Sequence, residues 1–141
     1  MAGVAARPVP EVLIDANVLL RYLTGDPQEL ADRARMLLER AERGELVLVL
    51  TPLIVAECVW VLKSFYKHPL VDIADALQRV LALDGLRTPG LGMVSDALSS
   101  MARHNVDFAD AYLAEQGRAE GMDVATFDRD FRRLGVQVLE P

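Results

Sequence analysis

The 141-residue chain has a single cysteine, Cys58, and this excludes a disulfide framework within the chain and fits a reducing, cytoplasmic location. A catalytic thiol would need a histidine base, and neither His68 nor His104 stands in a recognisable nucleophile motif. We therefore expect Cys58 to be a buried structural residue. No apolar run approaches the roughly 20 residues of a membrane-spanning helix, and the first residues lack the apolar stretch of a signal peptide.

Basic residues are also scarce. The chain has 15 Lys and Arg against 21 Asp and Glu, so its formal net charge is −6. This balance disfavours broad, non-specific binding to nucleic acid, which needs a basic surface. It does not exclude a nuclease, because metal ions can neutralise a group of acids and bridge them to phosphate.

The order of predicted elements indicates an α/β fold. Residues 1–10, with Pro8 and Pro10, are expected to form a flexible tail, and residues 11–141 a single domain. Short apolar runs alternate with helical segments, which is typical of a mostly parallel sheet covered by helices on both faces. Asp26 and Thr51 are expected to cap the helices that follow them. Strands are predicted at 12–15, 46–50, 86–88, 123–128 and 136–141.

Two aspartates, Asp15 and Asp128, end predicted strands. In α/β folds, ligands bind at the carboxyl ends of the strands, so these acids are expected to face a binding crevice. Each could equally cap the helix or turn that follows. Asp130, two residues beyond Asp128, is expected only to decorate the first turn of a short helix.

Glu57 is the only charged residue between Leu46 and Leu62. Its spacing predicts that it lies beside Leu53 and Val61 on a largely buried helix face. Because a buried carboxylate needs a partner, either a metal ion or a distant arginine is expected to contact it.

Asp107 and Asp110 open the helix that begins in "VDFADAYLAEQ". Their spacing resembles a capping box, and both carboxylates suit the positive end of the helix dipole. A helix needs only one cap, so we expect Asp107 to cap it and Asp110 to join the other acids. Gathered acids repel by on the order of 4 kcal/mol per pair at 4 Å, which favours raised pKa values or cation binding.

The motifs "VLIDANVLLRYL", "TPLIVAECVWVL" and "VDFADAYLAEQGRAEGMDVATFDRDF" resemble those of the PIN-domain family, and within it the VapC-type toxin ribonucleases of VapBC toxin–antitoxin modules. The resemblance covers residues 11–140. It implies a three-layer α/β/α sandwich with a mostly parallel central sheet. It also implies an endoribonuclease that depends on Mg²⁺ or Mn²⁺, a homodimer, and a VapB-like antitoxin partner.

By position in these motifs, the resemblance assigns the metal-binding and catalytic acids, and then the polar residues that support them. The acids are Asp15, Glu57, Asp110 and Asp128, and the supporting residues are Asn17, Asp107 and Thr126. Oxygen ligands of this kind suit Mg²⁺ or Mn²⁺ rather than zinc.

Three other functions compete with this one. A haloacid-dehalogenase-like phosphatase needs a second aspartate two residues after the first, where this chain has Asn17. A receiver-like domain needs an acid pair after the first strand, and none follows "VLI". A non-catalytic α/β interaction module predicts that replacing Asp15 or Glu57 by Asn or Gln changes no activity.

Overall fold

The computed structural model describes residues 8–141. Most of the predicted tail, residues 1–7, therefore lies outside the described part of the chain. Residues 8–10 are exposed and carry no regular secondary structure before the first strand.

Helices and strands alternate along the chain as the sequence predicts. The elements are β1 (Glu11–Leu13), α1 (Ala16–Thr24), α2 (Gln28–Glu42), β2 (Val47–Val49), α3 (Pro52–Ser64), α4 (Leu70–Leu81), β3 (Leu86–Arg87), α5 (Leu91–His104), α6 (Phe108–Glu120), β4 (Val124–Ala125) and β5 (Val138–Leu139). A 3₁₀ helix, Arg129–Leu134, connects the last two strands. None of the helices in residues 8–141 has the length and apolar character needed to cross a membrane.

All described strand pairs are parallel, as expected, and form an α/β/α sandwich with the helices. Their hydrogen bonds divide them into a three-stranded sheet, in the order β1-β2-β3, and a two-stranded sheet of β4 and β5. The single sheet expected from sequence is therefore divided into two. One residue separates the carboxyl end of β1 from Asp15, and two residues separate the carboxyl end of β4 from Asp128.

The two sheets have separate cores that meet on α6. The larger core joins β2 to the inner faces of the helices and includes the fully buried Leu19, Leu48, Ile73 and Leu98. A smaller core packs the second sheet and the 3₁₀ helix, through residues such as Val124 and Phe131. Helix α6 belongs to both, because Phe108 and Ala111 lie in the larger core and Ala114 in the smaller one.

Two local predictions are wrong. The apolar run at 12–15 indicates a buried strand, but β1 is an edge strand at Glu11–Leu13 and all three of its residues are exposed; only Ile14 of that run is buried. Asp26 does not cap α2: Pro27 occupies the N-cap position and no side chain caps the helix. Thr51 does occupy the N-cap position of α3, but its hydroxyl makes no capping hydrogen bond.

Candidate active site

Asp15 lies between β1 and α1 and serves as the N-cap of α1. Its Oδ1 accepts a hydrogen bond of 2.9 Å from the backbone N–H of Ala16. No hydrogen bond or ion pair within residues 8–141 engages its second carboxylate oxygen. Capping fixes the side chain at the end of the strand and leaves one oxygen available for a ligand, so the two interpretations of Asp15 are compatible.

Glu57 is exposed, contrary to expectation. Leu53 on the same face is 77% exposed, whereas Val55, Cys58 and Leu62 are buried on the opposite side of α3. Since α3 is apolar on both faces, its sequence alone does not show which face is buried. Glu57 therefore needs no partner to offset burial, and its candidacy depends on its position instead.

Cys58 lies near both Glu57 and Asp15. Its thiol is fully buried and donates a weak hydrogen bond of 3.9 Å to the carbonyl of Ala16. Burial, and to a lesser extent the negative charges of Glu57 and Asp15, raise the pKa of Cys58 to about 12. The expectation of a buried structural cysteine is confirmed. The two acids lie near the same thiol, Asp15 at the start of α1 and Glu57 within α3.

Asp110 lies in the first turn of α6. Partial burial raises the pKa of Asp110, and the nearby carboxylates of Asp107 and Asp128 raise it further. Asp110, at the beginning of α6, therefore lies near Asp128, which follows the end of β4. Like charges held close together are typical of sites that bind cations or transfer protons.

Asp107 occupies the N-cap position of α6, but its side chain does not cap the helix. Its Oδ1 instead accepts a hydrogen bond of 2.9 Å from the ammonium group of Lys63 on α3. The predicted capping is wrong because a cation from another helix competes for the carboxylate. This ion pair links α3, which carries Glu57, to the first turn of α6.

Asp128 follows β4 and is the N-cap of the 3₁₀ helix. Its Oδ1 accepts a hydrogen bond of 2.9 Å from the N–H of Asp130, and its own N–H donates to Oγ1 of Thr126 at 3.0 Å. Thr126 therefore fixes the backbone at Asp128, and its supporting role at the site remains a prediction. Asp130 is an exposed residue of the first turn, as expected.

The structure brings the candidate acids together in two groups. Asp15 and Glu57 lie beside Cys58, while Asp107, Asp110 and Asp128 surround the start of α6. In residues 8–141, no three His, Cys, Asp or Glu side chains are arranged as a group that could hold a metal ion. The set of four metal ligands therefore remains a prediction.

The chemistry of the donors nevertheless fits a hard divalent cation. Asp15, Glu57, Asp110 and Asp128 offer carboxylate oxygens, and no ion pair in the described part of the chain neutralises any of them. Mg²⁺ and Mn²⁺ prefer such ligands.

Three features near these acids were not predicted from sequence. They are the ion pair of Lys63 with Asp107, the exposed side chain of Trp60, and a groove between α1 and α2 that includes Asn17. The spacing of Trp60, three residues after Glu57 on one helix, could have placed it on the same face.

Comparison with known proteins identifies the family of the chain. The family model described as "PIN domain" matches residues 12–137. A protein described as "VapC ribonuclease", from Aquifex aeolicus (strain VF5), is 24% identical over 130 residues, which cover 92% of this chain and 96% of that protein. The resemblance found in the motifs is thereby confirmed over nearly the whole chain, and the protein belongs to the PIN domain family.

Proposed function

We propose that the protein is a divalent-metal-dependent endoribonuclease of the VapC type, which hydrolyses RNA phosphodiester bonds with a metal-activated water. The observation that carries the proposal is the position of four unneutralised carboxylates in a PIN domain. Asp15 and Asp128 follow strand ends, Glu57 and Asp15 both lie near Cys58, and Asp110 interacts with Asp128. Its similarity to a VapC ribonuclease supports RNA as the substrate.

Each acid has a defined task in this proposal. Asp15, Glu57, Asp110 and Asp128 would hold Mg²⁺ or Mn²⁺, which activates water and stabilises charge on the phosphate oxygens when bound. Asp15 is fixed by the N–H of Ala16, and Asp128 is fixed through Thr126. Asp110 must be ionised to act as a ligand, and a bound cation would favour that ionised form.

The test is RNA cleavage by the purified protein with Mg²⁺ or Mn²⁺. We expect EDTA to abolish cleavage, and Asp15→Asn to reduce it to the level seen with EDTA. Asp130→Asn is the matched control, because Asp130 is an exposed neighbour outside the proposed site. Equal cleavage by the wild type and Asp15→Asn would reject the mechanism, and no cleavage by either would favour a non-catalytic interaction module.

The groove between α1 and α2 supports a further part of the proposal, a cognate antitoxin. Its cavity of about 430 Å³ is lined by Val18, Leu30 and Leu37 together with Arg21 and Arg33. An apolar groove flanked by two cations fits an amphipathic segment with acidic residues. Because Asn17 also lines the groove, a segment bound there would reach the neighbourhood of Asp15.

We expect Arg33→Glu to weaken capture of the antitoxin, here taken as the product of a short reading frame just upstream. Arg40→Glu, on the same helix but outside the groove, should bind as the wild type does. Co-purification of the tagged proteins measures both. Equal capture by the two variants would exclude this groove as the antitoxin site.

The family likeness also supports a homodimer, and light scattering of the free protein tests it.

A further inference from the structure

Trp60 is the only tryptophan in the chain, and its side chain is 67% exposed. Tryptophan is highly buried on average, so an indole in solvent on a well-packed helix is unusual. Trp60 lies one turn after Glu57 on α3, and side chains at this spacing are neighbours on the helix surface.

The indole borders a cavity rather than a flat surface. The cavity, of about 370 Å³, lies between α3 and the start of α6. Val59 and Phe108 contribute buried apolar side chains to it, and Lys63 and Asp107 contribute an ion pair. Its volume falls within the range of about 300–1,000 Å³ that is typical of ligand sites.

The cavity adjoins the candidate active site, because Asp107 is close enough to Asp110 to affect its ionisation. The ion pair at its mouth is exposed, with side-chain exposures of 46% for Lys63 and 68% for Asp107. Exposed pairs of this kind contribute little to stability, so Lys63 can exchange Asp107 for another anion.

We propose that Trp60 stacks on a nucleobase of single-stranded RNA next to the cleaved phosphate, while Lys63 contacts the RNA backbone. Aromatic faces beside a cation are a common way to hold single-stranded RNA without strict sequence preference. The choice of RNA as the ligand rests on the proposed function. A second copy on this face would instead cover Trp60, and the dependence of the emission on protein concentration distinguishes the two occupants.

The first experiment uses Trp60 as its own fluorescent reporter, since no other tryptophan contributes to the emission. Wild-type protein in Mg²⁺ is mixed in a stopped-flow instrument with an oligouridylate of about eight nucleotides, within the usual site sizes for single strands. We expect quenching on mixing, and little quenching by an abasic chain of the same length. No quenching, or equal quenching by both chains, would overturn the proposal.

The second experiment compares variants by fluorescence anisotropy of the labelled oligouridylate. Trp60→Ala and Trp60→Leu should weaken binding roughly 5- to 100-fold, and Trp60→Phe should retain most of it because an aromatic face remains. Val71→Ala removes an exposed apolar residue of α4, 62% exposed, and should bind as the wild type does. Circular dichroism checks the fold of each variant.

The outcomes separate this inference from the proposed function. If the wild type cleaves RNA and Trp60→Ala keeps its KM and binding, only the inference fails. If the oligouridylate quenches Trp60 but nothing is cleaved, only the proposed function fails. If the emission instead shifts with protein dilution and RNA has no effect on it, a second copy covers Trp60 and the inference is wrong.

Discussion

At the scale of single residues, the surroundings of Asp110 and its proposed role favour opposite ionisation states of its carboxyl group. Burial and the charges of Asp107 and Asp128 favour its protonated form, whereas a metal ligand must be ionised. In the folded state, Asp110 therefore binds its proton more tightly than it does in the unfolded chain. Its contribution to the free energy of unfolding falls as the pH rises from the unfolded pKa to the raised folded pKa.

We therefore expect Asp110→Asn to abolish RNA cleavage and, near neutral pH, to raise the Tm slightly. The amide removes the cost of holding a partly buried charge among other acids, and this gain is offset in part by the lost interaction with the helix dipole. Cleavage assays and thermal unfolding monitored by circular dichroism measure the two effects. Active Asp110→Asn would remove Asp110 from the site, and an unchanged difference in Tm between low and neutral pH would contradict the titration argument.

The residues also show how far a sequence can predict a site. Asp15 and Asp128 follow their strands as predicted, because the end of an apolar run marks the end of a strand. Glu57 was expected on a buried face and is exposed, since an apolar helix does not show which face is covered. The carboxylate of Asp107 pairs with Lys63, 44 residues earlier, and no local pattern reveals such a partner.

At the scale of elements, α6 packs closely against the second sheet at Gly117. A Cβ on Gly117 would lie 2.7 Å from Cγ2 of Val136 and 2.8 Å from the carbonyl oxygen of Met122. These distances are shorter than normal contacts, so the helix and the second sheet pack closely only because the side chain is absent. The sequence shows a glycine inside a helix but not the chain segment that lies against it.

We expect Gly117→Ala to lower the free energy of unfolding by about 1–3 kcal/mol, because the extra methyl group overpacks this contact. Gly92→Ala is the control: it lies in α5 with no atom within 4 Å of the added Cβ, and it should be neutral or slightly stabilising. Urea denaturation of both variants measures the difference. A Gly117→Ala protein as stable as Gly92→Ala would show that α6 and the second sheet can move apart at little cost.

At the scale of the whole molecule, the sequence predicted the order of elements and the parallel pairing, but not the division of the strands into two sheets. Alternating apolar and helical segments determine the fold class, since each element must bury one face. Which strands share hydrogen bonds depends on contacts far apart in sequence. The bond from Val124 N–H to the carbonyl of Gln137 is one example, and nothing in either short strand excludes pairing with β1.

The division into two sheets makes the proposed activity depend on the alignment of two separately packed bodies. Asp15 and Glu57 belong to the larger body, Asp128 to the smaller one, and α6 with Asp110 lies between them. Small packing units can open without global unfolding. An excursion of the C-terminal strands would carry Asp128 away from the other acids while nearly all helical structure remained. We therefore expect the proposed activity to be lost at a lower temperature than that at which the helices melt, because Asp128 is held by the smaller core.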